Sequence, residues 1–305
     1  MSFNVTILGS GAAVPTHRRN PTAQYVQCND RHILIDCGEG TQLQLRKYGV
    51  KIQRINHILI SHLHGDHFFG LVGLISTMHL LGRTSGLTIY APSPLEKIVR
   101  SQLEIGGAKL DFEINFIPID GNEKRLLYED RLIEIHTFPL KHRVPANGFV
   151  IKEKPKEYRL ISEALKGRGL LLEHLPLLKR GEDVVLDSGE RISFKEVTLP
   201  PKPSFSYAYC SDTAYWETIV PSIAESTVLY HEATFVQKEI ERARATYHST
   251  ASQAAKIASM ANVKKLLLGH ISARYDDTDT HLSEAKEIFP NTVVVEDGDT
   301  FEITA

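Results

Sequence analysis

Ser61-His62-Leu63-His64-Gly65-Asp66-His67 places three histidines and an aspartate within six consecutive positions, directly after the apolar run Ile58-Leu59-Ile60. Neutral imidazole is a ligand for borderline ions such as Zn²⁺ and a carboxylate adds a harder oxygen. The chemistry this mixture points to is binding of zinc or a similar first-row metal. If the chain stays extended to the end of the run, His62 and His64 project to one side, and Gly65 then allows a turn. Asp66 and His67 open a helix whose apolar face reads Phe68, Leu71, Val72, Ile75 and Met78. Two ligand pairs on two local geometries can hold two ions. The bland alternative is a polar loop without chemistry; lone histidines are common, but clusters this dense are not.

A dinuclear site needs further ligands, and these are expected where other strands end. Strand-like runs cover Asn4–Leu8, Gln24–Cys28, His32–Ile35, Ile55–Ile60, Leu87–Ala91, Ile114–Ile119, Leu132–Pro139 and Asn147–Ile151. After a break they resume at Ser206–Cys210, Val228–Tyr230, Lys264–Leu268 and Val293–Glu296. Helical patterns lie between many of them, so the fold class expected is α/β, with two sheets covered by helices. His142, Asp212 and His270 each follow one of these apolar runs. Taken singly, each reads as an edge histidine or a turn aspartate. Together they form a ligand set, because strand ends converge on one rim in α/β architectures. Asp36, at another strand end, reads either as a turn former or as an acceptor that buttresses a ligand histidine.

With His62, His64, Asp66 and His67 in an HxHxDH pattern, the chain resembles the metallo-β-lactamase superfamily. Within it, the chain is similar to the ribonuclease Z family of tRNA 3′-processing endoribonucleases. The likeness runs through Leu8–Thr16, Arg19–Thr22, Ile35–Gln42, Tyr209–Thr213, His231-Glu232-Ala233-Thr234, His248-Ser249-Thr250 and Gly269–Tyr275. The resemblance implies a four-layer αββα sandwich and two Zn²⁺ per subunit. His62, His64 and His142 would hold one ion, Asp66, His67 and His270 the other, with Asp212 bridging. It implies a catalytic role for Asp66 in orienting or deprotonating water. His248 would be the acid for the departing ribose oxygen, oriented by Glu232. The alternative for His248 is a helix-start residue before Ser249-Thr250, which would cap Ala251–Ala261. His231 and Arg274 are further residues that could touch the site or RNA.

From about Lys152 to Pro203 the pattern changes. Lys152, Lys154, Lys156, Arg159, Lys166 and Arg168 outnumber nearby acids, and Pro200-Pro201-Lys202-Pro203 closes the segment. Residues 152–203 are read as an inserted flexible arm between 1–151 and 204–305 of the main domain; a solvated helix and hairpin used only for packing is the competing reading. By the resemblance, such an arm clamps tRNA away from the cleavage point. Here Gly167–Leu177 departs from the Gly-Pro-rich stretch of many bacterial members, while Leu178-Lys179-Arg180-Gly181 is kept. The substrate implied is precursor tRNA, cut 3′ to the discriminator nucleotide to leave a tRNA 3′-hydroxyl and a 5′-phosphorylated trailer. A small phosphodiester, sulfate ester or thioester is the alternative substrate, and an RNA-binding scaffold without catalysis the alternative class.

Composition agrees with an ordinary soluble protein: 305 residues, 42% hydrophobic, net charge −2. That charge offers a nucleic acid no long-range attraction, so any grip on RNA must be local. Cys28, Cys37 and Cys210 form no CxxC pair, which suits a reducing compartment. Neither a signal peptide nor a membrane-spanning run is apparent. The expectation is a cytoplasmic protein without membrane partners and, by the resemblance, a homodimer.

Overall fold

A computed structural model describes residues 2–304. Fourteen strands form two seven-stranded sheets. The first sheet takes β1 (Phe3–Gly9), β2 (Ala23–Cys28), β3 (Arg31–Ile35), β4 (His57–Leu59), β5 (Leu87–Ala91), β6 (Ile114–Pro118) and β14 (Thr300–Glu302). Its order is β14-β1-β2-β3-β4-β5-β6. The second takes β7 (Arg125–Glu129), β8 (Ile133–Leu140), β9 (Ala146–Glu153), β10 (Ser206–Cys210), β11 (Val228–Glu232), β12 (Lys265–Gly269) and β13 (Thr292–Val294), in the order β13-β12-β11-β10-β9-β8-β7. Strands β3 to β6 run parallel, as do β10 to β13. Their carboxyl ends are where sites are built in such sheets.

Alternation along these strands explains the layering. Val5, Ile7, Val26, Ile33, Ile35, Phe149, Tyr207, Tyr209 and Tyr230 belong to one buried cluster drawn from both sheets. Their neighbours face outward: Leu34 and Ile58 pack with the helices Thr41–Lys47 and Leu71–Leu80, and Ala208, Leu229 and Leu266 with the helix Ala251–Met260. The order of layers is therefore helix, sheet, sheet, helix. Edge strands β7 and β14 do not stand out in the sequence, because half of each faces solvent and little alternation survives.

The helix expected to run on from Asp66 is interrupted. Gly65–Phe68 forms one turn, and a second helix begins at Leu71. Gly70 makes the break: its amide donates to Cys37 O at 2.9 Å, and a Cβ there would lie 2.2 Å from Gly38 O. Leu71, Ile75 and Met78 are buried as expected, whereas Phe69 is 67% exposed.

Residues Glu153–Ser204 form a separate compact unit. Its core is Leu178, Val184, Leu186, Ile192 and Val197. It contains the hairpin Val184–Val185 with Arg191–Ile192, a ladder between Arg159–Leu160 and Thr198–Leu199, and three short helices. The basic excess at its start does not extend through it: residues 153–204 carry ten Lys or Arg against nine Asp or Glu. Lys166–Glu163, Arg168–Glu196, Arg180–Glu182 and Arg191–Asp183 are ion pairs within the unit. No helix among the described residues is long and apolar enough to cross a membrane.

Candidate metal centre

The segment after β4 brings His62 Nε2 to 3.0 Å from His64 Nδ1, and His142, beyond the end of β8, adds Nε2 at 3.2 Å from the same His64 nitrogen. Asp212, two residues beyond β10, places Oδ2 at 3.6 Å from His62 Nε2 and 3.7 Å from His142 Nε2. Its other oxygen, Oδ1, lies 3.4 Å from His67 Nε2 and 3.1 Å from His270 Nε2. Asp66 Oδ2 is 3.5 Å from each of those two nitrogens. The seven side chains named from sequence thus meet in two groups, His62, His64, His142 and Asp212 in one and Asp66, His67 and His270 in the other, with Asp212 Oδ1 set against the second.

Whether these groups fit metal ions is decided by their hydrogen bonds. Ligand bonds of about 2.1 Å in a tetrahedron give edges of roughly 3.4 Å, and the separations of 3.0–3.7 Å bracket that value. His67 Nδ1 is 2.8 Å from Asp36 Oδ2, and His142 Nδ1 is 2.9 Å from Tyr247 O. His270 Nδ1 is 2.9 Å from Thr234 Oγ1, whose own proton goes to Glu232 Oε2. His62 Nδ1 is 3.1 Å from Ser61 Oγ, which donates to Asp36 Oδ2. Each acceptor puts the ring proton on Nδ1 and leaves the Nε2 lone pair directed into the cluster. His67 Nε2, His270 Nε2 and Asp212 Oδ1 are buried and have no hydrogen-bond partner. Unsatisfied buried ligand atoms aimed at one another are what a bound cation satisfies.

Electrostatics agrees. Burial, helped by repulsion from neighbouring histidines, holds His62 well below the ordinary imidazole range, and burial likewise lowers His64 and His142. All three therefore favour the neutral imidazole, the form able to bind a cation. Burial opposes charge on His67 as well, but the carboxylates of Asp212, Asp66 and Asp36 outweigh it and hold its pKa well above normal. Burial would raise Asp212 too, yet His270, His67 and His62 keep it ionised. The raised pKa of His67 marks an excess of carboxylate charge around Nε2, which either a proton or a cation on that nitrogen would balance.

The backbone bends to make this arrangement. Ala13, Asp36, Tyr247 and His270 have φ between 55° and 59°, a region that non-glycine residues rarely occupy and that is held only by surrounding structure. The left-handed turn at Ala13 points its amide at Asp66 Oδ2, 2.9 Å away. Asp36 reaches under the histidine segment to Ser61 N, Ser61 Oγ, His67 Nδ1 and Tyr209 OH. It is a buttress, not merely a turn former.

Glu232, at the end of β11, is fully buried. Its Oε1 accepts from Thr213 N, Ser249 N and His248 Nδ1, the last at 2.8 Å, and Oε2 accepts from Thr234 N and Oγ1. Burial would lower His248, but the Glu232 carboxylate raises it to about 9. His248 also lies within ligand distance of Asp212 and His270. Thr250 does cap the helix Ala251–Met260, through a capping box with Gln253, so a helix-start reading of this segment and a functional one coexist.

His231 does not join the site. It shares the outward face of β11 with Leu229, is buried, and among the described residues bonds only to Glu232 O, through Nδ1. Arg274 does reach the cleft above the cluster, together with Arg143 and Arg242. Those two arginines were not singled out in the sequence; Arg143 follows a ligand, but Arg242 reads as an ordinary charge on a helix surface.

A ribonuclease Z of Parabacteroides distasonis is 46% identical over 296 residues, 97% of each chain, and one of Bacteroides fragilis is 44% identical over 295 residues with the same coverage. The chain belongs to the ribonuclease Z family. Like ribonucleases Z generally, it is a hydrolytic nuclease. The crystal structure of the short form of human tRNase Z superposes with a TM-score of 0.72 at 27% identity, covering 99% of this chain and 100% of that one. A metallo-β-lactamase fold protein from Bacillus subtilis superposes at 0.69 with 18% identity over 99% and 100%, which shows the shared metallo-β-lactamase fold. Residues 3–154 also match a family described as Anti-Pycsar protein Apyc1. That match includes His62, His64, Asp66, His67 and His142 but ends before Asp212 and His270.

Proposed function

We propose that this chain is a zinc-dependent endoribonuclease that cleaves precursor tRNA 3′ to the discriminator nucleotide. The observation that carries the reading is Asp212 facing two ligand groups, with the Glu232–His248 pair beside them and Arg143, Arg242 and Arg274 in the same cleft. Its relatives named ribonuclease Z and tRNase Z supply the substrate class.

His62, His64, His142 and Asp212 would hold one zinc ion, and Asp66, His67, His270 and the second Asp212 oxygen the other. Such ions, when bound, would supply charge neutralisation at a scissile phosphate and a lowered pKa for the attacking water. Asp66, fixed by the Ala13 amide, orients that water and accepts its proton. The arginines engage phosphate oxygens. His248, charged through its bond to Glu232, donates from Nε2 to the departing ribose 3′-oxygen. That transfer leaves the tRNA with a 3′-hydroxyl and the trailer with a 5′-phosphate.

The unit 153–204 is proposed as the tRNA-gripping arm. Because its charge is nearly balanced, its contacts would be local ones from residues such as Lys179, Lys195 and Lys202 rather than a general basic field. A homodimer is proposed as well. The exposed Leu43 and Leu80, on the packed helices Thr41–Lys47 and Leu71–Leu80, are apolar surface that a second copy would cover. Three buried free thiols suit a cytoplasmic location.

The deciding experiment incubates the zinc-loaded protein with a precursor tRNA carrying a short trailer and maps both new ends. A single cut after the discriminator with a 3′-hydroxyl supports the reading. Hydrolysis of small diesters, sulfate esters or thioesters alone, with intact RNA, would replace it with the small-substrate alternative. Light scattering tests the dimer.

A further inference from the structure

Beside the metal cleft lies a second cavity of about 360 Å³, lined by Lys141, Tyr215, Arg244, Tyr247, Gln253 and one face of His248. The proton-transfer chemistry above uses His248 but none of the other side chains. Tyr247 ends the helix Ile240–Thr246 in the left-handed region. Its carbonyl is fixed on His142 Nδ1, and its ring is left 40% exposed. Tyr215 is anchored by its hydroxyl, which donates to Glu217 at 2.7 Å and lies 3.9 Å from Met260 Sδ. The Lys141 ammonium has no acidic partner among the described residues. Two aromatic rings with neighbouring cations, in a space of this size, suit one flat heterocycle and its adjoining phosphates.

The position of His248 says which nucleoside that is. In an in-line displacement the attacking water and the leaving oxygen lie on opposite sides of phosphorus. The water belongs with the ligand cluster, and the leaving oxygen belongs with the group that protonates it. His248 lines both the cluster cleft and the second cavity. The nucleoside carrying the leaving 3′-oxygen therefore extends past His248 toward Tyr215 and Tyr247.

We infer that this cavity is the subsite for the leaving nucleoside, whose base stacks on Tyr247 and Tyr215 while Lys141 and Arg244 face its phosphates. The inference rests on the RNA-cleavage reading. Stacking accepts any base, because every base has a π-face, and removing it costs about 5- to 150-fold. All four bases are thus expected to serve at this position, and an abasic ribose to fail.

The test is a double cycle with the zinc-loaded protein. Precursor tRNAs with a normal or an abasic nucleoside immediately 5′ to the cut are compared using wild type and Tyr247→Leu. In wild type the abasic substrate is expected to lose at least about fivefold in kcat/KM, and in the variant to lose little more. An abasic site at the first trailer nucleotide should change the wild-type rate by less than that. Metal content and melting are checked first; if Tyr247→Leu loses zinc or fold, Tyr215→Leu takes its place. Equal rates on normal and abasic substrates, or losses that simply multiply, overturn the subsite alone. A protein that cleaves neither RNA overturns the RNA reading and this subsite with it.

Discussion

Asp36 Oδ2 lies 2.8 Å from His67 Nδ1, and both side chains are completely excluded from solvent. The same carboxylate collects Ser61 N, Ser61 Oγ and Tyr209 OH, so it is saturated and its direction is fixed. Outer partners of ligand histidines are worth about 10- to 100-fold in metal affinity. Asp36→Asn is therefore expected to lose zinc to a competing chelator at a concentration about that much lower than wild type does, as read by metal analysis after dialysis. Unchanged retention would remove Asp36 from the support of the centre.

His64 contributes a nitrogen within 3.2 Å of both His62 and His142. Replacing it with alanine should lower bound metal and activity together. His248→Ala should keep its zinc and lose on the order of 10²- to 10⁴-fold in kcat. The loss should be greatest with a ribose leaving group and smaller with nitrophenolate, which needs no proton. Metal analysis alongside kinetics on the two substrate types separates these behaviours. Full activity of His248→Ala on RNA would dismiss His248 as the acid.

The pH profile tests Glu232. His248 stands raised to about 9, because the attraction of the Glu232 carboxylate overcomes the burial that would lower it. An acid works while protonated, so activity falls as pH rises through its pKa. Glu232→Gln removes the charge that favours imidazolium, and the alkaline limb of kcat should move to lower pH by roughly 1–3 units. If the limb stays in place, the carboxylate is not what sets the acid.

Strands β9 and β10 are antiparallel neighbours, with Lys152 opposite Ser206. The chain can therefore be closed by a short Gly-Ser turn after deletion of 153–204. The shortened protein is expected to keep hydrolysis of a small chromogenic diester and to lose precursor-tRNA cleavage by at least ~10-fold, through lost phosphate contacts that also make binding salt-sensitive. Equal loss on both substrates would argue against an RNA clamp.

Gly38 packs beneath the histidine segment. A Cβ there would lie 2.4 Å from Asp66 O and 2.6 Å from Pro21 Cβ. Gly38→Ala must push Asp66 or the Pro21 loop aside, at about 1–3 kcal/mol. A melt should show a Tm lower by several degrees together with weaker zinc retention. A wild-type melt would mean that the loop yields freely.

The residue types that cluster at the candidate centre and the strands that carry them were legible in the sequence, because histidine and aspartate beyond apolar runs are conspicuous and parallel strands gather their carboxyl ends. The interruption at Gly70 was not legible, since it arises from Gly38 O pressing on a position that local periodicity treats as helix. Nor was the ion pairing within 153–204, where acids late in the unit neutralise the early basic run, Arg168 meeting Glu196 across 28 positions. His231 shows the converse failure: its neighbours suggested a place near the site, but strand alternation turns it outward.

The sequence by itself determined which atoms are able to bind metal and the order in which the strands deliver them. Only the tertiary structure decided which nitrogen of each ring is free. That choice is made by groups such as Tyr247 O, 105 positions from His142, just as the direction of the Asp66 carboxylate is set by the amide of Ala13, 53 positions away. Backbone carbonyls and amides are the same in every residue, so nothing in a sequence marks one as a partner until folding has brought it there.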